Sequence, residues 1–291
     1  MKWEGNRESD NVEDRRGSGG GGGMPVFGGR SIGIGTIVIA LLGGWVLGIN
    51  PLTILGLLSG GGMPAQVQQA PAQRPTADDT MARFVSTVLA DTEDVWQAVF
   101  REGGGRYQEP RLVLFRGATP TACGTGQAAM GPFYCPADQK VYIDLGFYET
   151  LKSRLGAPGD FAQAYVIAHE VGHHVQHLLG ITSKVDQMRG RVSQKEYNAM
   201  SVRLELQADC FAGVWAHHAQ NARQILEQGD VEEAMNAAAR IGDDALQRAS
   251  GGAVVPDSFT HGSSAQRQRW FHTGLKQGSV QACDTFSARS L

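Results

Sequence analysis

The spacing of apolar residues predicts strands in the middle of the chain and helices around them. Residues 80–101 place Phe84 and Val88 at helical intervals, with further apolar positions one and two turns on. Residues 111–115 (RLVLF) and 140–145 (KVYIDL) are short runs rich in β-branched and aromatic residues, which is typical of strands. A helix followed by two strands is therefore expected before residue 150.

Capping signals predict that the rest of the chain is mostly helical. Four helices are expected. The first covers about 161–179, between Asp160 as N-cap and Gly180, and the second begins at the capping box Ser193–Glu196 and runs to about 218. The third begins at Asp230–Glu233, and the fourth is capped by Ser264 and stops at Gly278. The fold class is therefore α+β, dominated by helices with a small sheet.

One segment near the N-terminus has the composition of a membrane span. Residues 31–58 contain no charged residue, and the run from Ile32 to Ile49 reaches the lower limit for a spanning helix. It begins too far into the chain for a signal peptide, and no small-residue cleavage site follows it. We therefore expect a single transmembrane helix and a lipid bilayer as a partner.

The flanks of this segment divide the chain into regions. Residues 1–30 mix acidic and basic residues with a glycine tract, which predicts a disordered tail, and residues 59–78 are expected to form a flexible linker. The domain is expected over residues 79–291. Arg15, Arg16 and Arg30 precede the segment, so the positive-inside rule predicts a cytoplasmic N-terminus and a periplasmic or extracellular domain at a bacterial inner membrane.

Composition narrows the class of function. The net charge is −3 and charged residues make up 19% of the chain, without a block rich in lysine and arginine, so nucleic acid is not expected as a partner. The 39 glycines show no triplet period, which excludes a collagen-like chain. These values fit a globular protein behind a membrane anchor.

The predicted helix after Asp160 contains the pattern H-E-x-x-H at 169–173. His169 and His173 are four residues apart, so both imidazoles lie on one helix face and can bind one Zn²⁺ ion. Glu170 is then placed to take a proton from the attacking water. Two packed histidines without a metal would be the structural alternative.

A catalytic zinc ion needs a third protein ligand. His174 points off the face, and His177 is about 12 Å along the axis from His169, which is too far for three side chains to share one ion. Glu205 is the best candidate, and Asp209 lies four residues further on the same helix face, where it can bind the outer nitrogen of a ligand histidine. A solvated carboxylate pair is the alternative for these two residues.

These motifs resemble those of known zinc peptidases. H-E-x-x-H followed by E-x-x-A-D resembles the gluzincins, and nearly the whole chain resembles the neutral zinc metallopeptidase family of bacterial YpfJ-type membrane proteins. The residues that carry the resemblance are NVEDRR at 11–16, GPFYCP at 131–136, VYIDLGFY at 141–148, HEVGHHVQ at 169–176, ELQADCFAG at 205–213 and FTHGSSAQR at 259–267. The resemblance implies a zincin-like fold and peptidase class.

A further motif gains meaning from the resemblance. Membrane gluzincins have a His-Pro…Arg element after the third ligand, and His261 and Arg267 have the same spacing, although Gly262 replaces the proline. The resemblance implies that His261 or Arg267 helps to stabilise the developing oxyanion or to orient the metal ligands, with His261 as the candidate catalytic residue. A capping or core role for His261 is an equal alternative.

Four cysteines allow three disulfide connectivities. The pairs Cys123–Cys135 and Cys210–Cys283 are favoured, and a second metal site is disfavoured because the chain has no C-x-x-C motif. Pairing requires an oxidising compartment, which agrees with the expected side of the membrane.

Together these observations predict a membrane-anchored zinc metalloendopeptidase that hydrolyses peptide bonds of a peptide or protein substrate. The strand KVYID is the expected edge on which an extended substrate pairs. A membrane-tethered binding or scaffold protein with a structural or idle zinc site is the alternative, and a metal hydrolase acting on a non-peptide amide also remains open.

Overall fold

The structure is a computed structural model that describes residues 1–17, 75–76, 78–128, 131–251 and 253–291. The predicted membrane segment 31–58 and most of the predicted linker 59–78 lie outside these residues. Within the described ranges, no helix is both long and apolar enough to cross a membrane. Residues Met1–Gly19 and Gln73–Leu291 belong to one unit by their contacts.

The described residues form an α+β fold in which helices predominate, as the apolar spacing predicts. The strands are β1 (Val12–Asp14), β2 (Arg111–Phe115), β3 (Ala118–Thr121), β4 (Gly124–Gln127), β5 (Phe133–Cys135) and β6 (Lys140–Asp144). The α-helices are α1 (Thr80–Glu102), α2 (Gly146–Ser153), α3 (Asp160–Leu178), α4 (Ile181–Asp186), α5 (Gln194–Arg223), α6 (Asp230–Arg240), α7 (Asp243–Ala249) and α8 (Ser264–Gln277), with 3₁₀ turns at Pro256–Ser258 and Val280–Cys283.

The main sheet has the strand order β1-β2-β6-β5. Strands β1, β2 and β6 are parallel, and β5 runs antiparallel to β6 with Tyr134 opposite Val141. The strand KVYID was expected to be the free edge, and this expectation is wrong, because β6 lies between β2 and β5 and has both sides hydrogen-bonded. The edge on that side of the sheet is β5.

Helix α3 carries the H-E-x-x-H pattern through the centre of the fold. Its apolar residues Phe161, Ile167, Val171 and Val175 are fully buried, and it packs against α1, α5 and α6. At Gly172 it comes so close to α5 that a Cβ atom would lie 3.0 Å from the Ala208 carbonyl oxygen. Glycine allows this approach without a shift of either helix, and the approach brings the motif next to the carboxylates of α5.

Helices α5 and α8 also pack at very short range. A Cβ atom at Gly213 or at Gly274 would overlap the backbone of the opposite helix. The disulfide Cys210–Cys283 joins α5 to the turn after α8, and Cys123–Cys135 joins the β3–β4 hairpin to β5. The favoured pairing of the four cysteines is therefore confirmed.

The expected disordered tail over residues 1–30 is wrong for residues 1–17, which are part of the fold. Strand β1 pairs with β2, Val12 is buried, and Trp3 packs edge-on against Phe84 with ring centroids 5.5 Å apart. The Met1 ammonium group lies 2.7 Å from the Asp160 carboxylate. The charge mixture that suggested disorder instead forms ion pairs with α1 and the sheet.

Two predicted caps differ from the structure by one residue. Gly159 precedes α3, and Asp160 is its first helical residue, without a side-chain cap. Ser263 rather than Ser264 caps α8, in a capping box with Gln266. The capping box at Ser193 and Glu196 is confirmed, and α5 continues to Arg223, five residues beyond its expected end.

Candidate metal centre

Two histidines of α3 and one glutamate of α5 converge on a common point. His169 Nε2 lies 3.3 Å from Glu205 Oε2, and His173 Nε2 lies 3.4 Å from Glu205 Oε1. One ligand atom of each of these three residues lies within 4.8 Å of the ligand atoms of the other two. Ligands bound tetrahedrally to Zn²⁺ at about 2.0–2.1 Å are about 3.4 Å apart, so this donor set fits the ion.

The charges around this point favour a cation. Burial raises the pKa of the Glu205 carboxyl, but His173 and His169 lower it by more, so its pKa lies well below its usual value. Burial lowers the pKa of His169, yet the Asp209 carboxylate raises it to about 10. A pocket that holds a proton this strongly is electrically suited to a divalent metal ion in place of that proton.

The outward nitrogen of each histidine has a buried partner. His169 Nδ1 lies 2.8 Å from Asp209 Oδ1, and His173 Nδ1 lies 2.9 Å from Gln176 Oε1. The Gln176 amide donates to the Leu204 carbonyl oxygen and to Gln207, which fixes its oxygen toward His173. Both rings are thereby held with Nε2 toward the metal point, the arrangement that metal-binding histidines require.

Asp209 is held in turn by Arg267 of α8. The Arg267 guanidinium donates two hydrogen bonds of 2.8 Å to the Asp209 carboxylate, and the Tyr165 hydroxyl donates a third. Asp209 is fully buried and Arg267 is 2% exposed. Burial raises the pKa of Asp209, but Arg267 and His169 lower it to about 2, so Asp209 stays a carboxylate.

Glu170 lies beside the ligands and faces the same cleft. Its residue is only 7% exposed, and burial raises the pKa of its carboxyl above the usual value. A raised pKa makes a carboxylate a stronger base for a proton of water. Glu170 therefore has the position and the electrostatics of a general base.

His261 approaches the cleft from the turn before α8. Its Nδ1 lies 3.1 Å from Asp243 Oδ1, while Asp243 Oδ2 accepts the backbone N–H groups of Thr260, His261 and Gly262. The hydrogen bond to Asp243 raises the pKa of His261 above its usual value. The side chain is half exposed and lines the cleft.

These side chains line a cavity of about 1050 Å³. Strand β5 and helix α2 form one wall with Tyr134 and Phe147, and helices α4 and α5 form the other with Tyr197. Leu246 of α7 also lines the cavity and is one of the large apolar residues that remain exposed. The cavity has room for several residues of an extended peptide and presents apolar and aromatic walls to them.

The histidines that the sequence analysis set aside lie outside the metal point. His174 is fully buried and accepts a hydrogen bond from the Tyr134 hydroxyl at Nδ1, while its Nε2–H donates to the Gln108 carbonyl oxygen. Burial lowers its pKa to about 4. His177 contacts Gln139 instead. Both placements agree with the helix geometry that excluded them as ligands.

Three residues of the site, Tyr165, Gln176 and Asp243, were not predicted. Gln176 lies three residues after His173 on the same helix, a spacing that could have identified it as a partner of that ring. Asp243 has no comparable signal, because its partner His261 is in a different element. Arg267 was noticed only through the family resemblance, and its buried contact with Asp209 could not be read from the sequence.

Comparisons with known proteins agree with this geometry. A family profile described as "Putative neutral zinc metallopeptidase" matches residues 1–286. "Uncharacterized protein YpfJ" of Escherichia coli strain K12 is 54% identical over 293 residues, covering 98% of this chain and 99% of that protein. "Uncharacterized protein Rv2575" of Mycobacterium tuberculosis strain H37Rv is 42% identical over 221 residues, covering 72% of this chain and 73% of that protein. No solved structure matches the chain.

Proposed function

The chain belongs to the family described as "Putative neutral zinc metallopeptidase", whose cofactor is Zn²⁺, and we propose that it hydrolyses peptide bonds in the cleft above α3. The observation that carries the proposal is the position of Glu170 beside three converging donors, with a cleft open on that side. A purely structural zinc site would use a fourth protein ligand and need no base.

The donors His169, His173 and Glu205 would hold the ion and leave one coordination position for water or substrate. Zinc bound in this way acts as a Lewis acid that polarises the scissile carbonyl and acidifies water. Asp209 and Gln176 keep the two imidazoles in the tautomer and orientation that binding needs. Arg267 keeps Asp209 charged and in place.

Glu170 takes the proton from the attacking water and then delivers it to the leaving amine. His261, whose protonated form is favoured by the hydrogen bond to Asp243, donates from Nε2 to the negative charge that develops on the carbonyl oxygen. Asp243 does not touch the substrate in this scheme, so it is a positioning residue for His261.

Strand β5 is the surface on which we place the substrate backbone. It is the outer strand of the sheet, and Phe133 and Tyr134 line the cleft. An extended peptide can add to this edge by main-chain hydrogen bonds while its side chains contact Phe147, Tyr197 and Leu246. The apolar walls favour segments with apolar side chains, as unfolded proteins expose.

We further propose that the domain works at a membrane and in an oxidising compartment. The apolar residues 31–58 supply the contact with lipid. The two disulfides persist only where thiols are oxidised, which in a bacterium is the periplasm or the exterior.

The test is hydrolysis of unfolded casein by the full chain, with zinc content measured on the same samples. Wild type and Glu170→Gln are compared with Glu149→Gln, an exposed glutamate of α2. Cleavage by wild type and Glu149→Gln, but not by zinc-loaded Glu170→Gln, is the expected result. Equal cleavage by all three proteins would contradict the proposal.

A further inference from the structure

Residues 1–17 are built into the domain that follows residue 75. In strand β1, Val12 lies opposite Leu112 and Asp14 opposite Leu114, and the Arg15 N–H donates to the Leu114 carbonyl oxygen at 2.8 Å. Strand β1 thus satisfies one side of β2, whose other side is paired with β6. The sheet order requires the N-terminal segment to be beside the domain.

Buried polar groups of α1 are also satisfied by this segment. Glu93 is 1% exposed, and its carboxylate accepts hydrogen bonds from Ser9, Asn11 and Arg7 at 2.5–2.9 Å. The Ser86 hydroxyl donates to the Ser9 carbonyl oxygen. Burying a carboxylate without such partners destabilises a fold. The buried position of Glu93 in α1 therefore requires that residues 7–11 are in place.

A cluster of charges joins β1 to the strands beyond it. Glu13 is 7% exposed and lies 2.9 Å from Lys140, 3.1 Å from Arg111 and 2.8 Å from Arg15. Lys140 and Arg111 belong to β6 and β2. The Glu13 carboxylate of the N-terminal segment therefore neutralises cations of two strands that follow the apolar segment in the sequence.

The two flanks of the undescribed stretch are joined by an ion pair. The Arg16 guanidinium lies 2.6 Å from the Asp79 carboxylate. Arg16 is next to the last described residue before the apolar segment, and Asp79 is the N-cap of α1 after it. A single crossing of a bilayer would separate these flanks by the hydrocarbon thickness of about 30 Å, which an ion pair cannot span.

We propose that the N-terminal segment 1–17 and the domain 75–291 lie on the same side of the membrane that the chain is proposed to contact. This replaces the single crossing and the cytoplasmic N-terminus that the sequence predicted. The inference does not depend on peptidase activity.

The first test labels single introduced cysteines in the full chain with a membrane-impermeant maleimide. Glu4→Cys lies in the exposed part of the N-terminal segment and Arg289→Cys near the exposed C-terminus, while all four native cysteines are disulfide-bonded. Arg189→Cys, 72% exposed between α4 and α5, is the control for the side of the domain. Membrane vesicles of one orientation are labelled before and after permeabilisation.

The expected result is that Glu4→Cys and Arg289→Cys react together with the control, either all before permeabilisation or all only after it. Reaction of Glu4→Cys on the opposite side from the other two would overturn the proposal. Labelling also shows which side the domain occupies.

The second test asks whether the docked segment contributes to the folded domain in the native membrane. Glu13→Lys should lower the melting temperature by several degrees, and Glu13→Lys with Lys140→Glu should recover part of the loss, because one opposite-charge contact is restored. Glu149→Lys, on the exposed face of α2, is the matched control and should not change it. A melting temperature unaffected by Glu13→Lys would overturn the proposal.

Discussion

Asp209 and Arg267 form a buried pair directly behind the metal point, with two hydrogen bonds of 2.8 Å between them. The same carboxylate lies 2.8 Å from His169 Nδ1. A charge on α8 therefore reaches the proposed metal ligand His169 on α3 through one carboxylate of α5. The close approach of α5 and α8 at Gly213 and Gly274 brings these helices near enough for the contact to form.

Glu170→Gln should retain zinc and the fold but lose hydrolysis. The amide has nearly the volume of the carboxylate but cannot take the proton of water, and general base catalysis contributes about 10²–10⁴-fold. The kcat for casein fragments should fall by at least this factor, with unchanged zinc content by elemental analysis. Loss of zinc along with activity would assign Glu170 to the ligands instead of the base.

Glu205→Ala and Asp209→Ala should differ in degree. Glu205→Ala leaves two imidazoles, so most of the zinc should be lost on dialysis. Asp209→Ala removes only the partner of His169 Nδ1, and such losses cost about 10–100-fold in metal affinity or activity. Zinc affinity is measured by competition with a chelator, with Glu232→Ala, exposed on α6, as the control. A larger loss for Asp209→Ala than for Glu205→Ala would mean that the ligand was assigned to the wrong carboxylate.

Asp243→Asn should shift the alkaline limb of the pH–rate profile to lower pH. Asp243 raises the pKa of His261, so its removal lets His261 lose its proton at lower pH, and the donor to the oxyanion is lost earlier. His261→Gln should lower kcat at pH values below this limb and remove the limb. His272→Gln, an exposed histidine of α8, is the control. An unchanged profile in Asp243→Asn would show that the pair is only structural.

Glu13→Gln should reduce stability at neutral pH and lose this effect in acid. Burial raises the pKa of Glu13, but Lys140, Arg15 and Arg111 lower it to about 2, below the 4.5 of an unperturbed glutamate. Because the folded pKa is depressed, the carboxylate stabilises the fold above pH 4.5, and this contribution disappears as the pH falls toward 2. The upper limit is about 3 kcal/mol at pH 7. Chemical denaturation of both proteins at pH 7 and pH 3 measures the difference, which should be smaller at pH 3.

Replacing Cys210 and Cys283 together by alanine should cost about 2–4 kcal/mol of unfolding free energy, because the bond closes a loop with a sequence separation of 73. Cys210 follows Asp209, so zinc affinity should fall as well. The pair Cys123 and Cys135, with a separation of 12, should cost less and leave zinc affinity unchanged. Thermal denaturation and chelator competition on both double variants test this order.

Features that depend on neighbours along the chain could be predicted from the amino-acid sequence. The spacing of His169 and His173 places both rings on one face, because a helix repeats about every 3.6 residues. The same rule excluded His177, and apolar spacing located α1, β2 and β6 almost to the residue. The pair Glu205 and Asp209 was found in this way too, since both lie on one face of α5.

Contacts between distant elements could not be predicted from the sequence and are seen only in the folded structure. Strand β5 forms the edge of the sheet by pairing with β6. It has only three residues, a run too short to be recognised as a strand in the sequence. Asp243 reaches His261, and Glu13 reaches Lys140, across separations that no local period encodes. The polar residues 1–17 looked disordered because their partners lie more than 60 residues away. Packing brings these partners together, and that is why the same charges that suggest a solvated tail instead form a strand of the sheet.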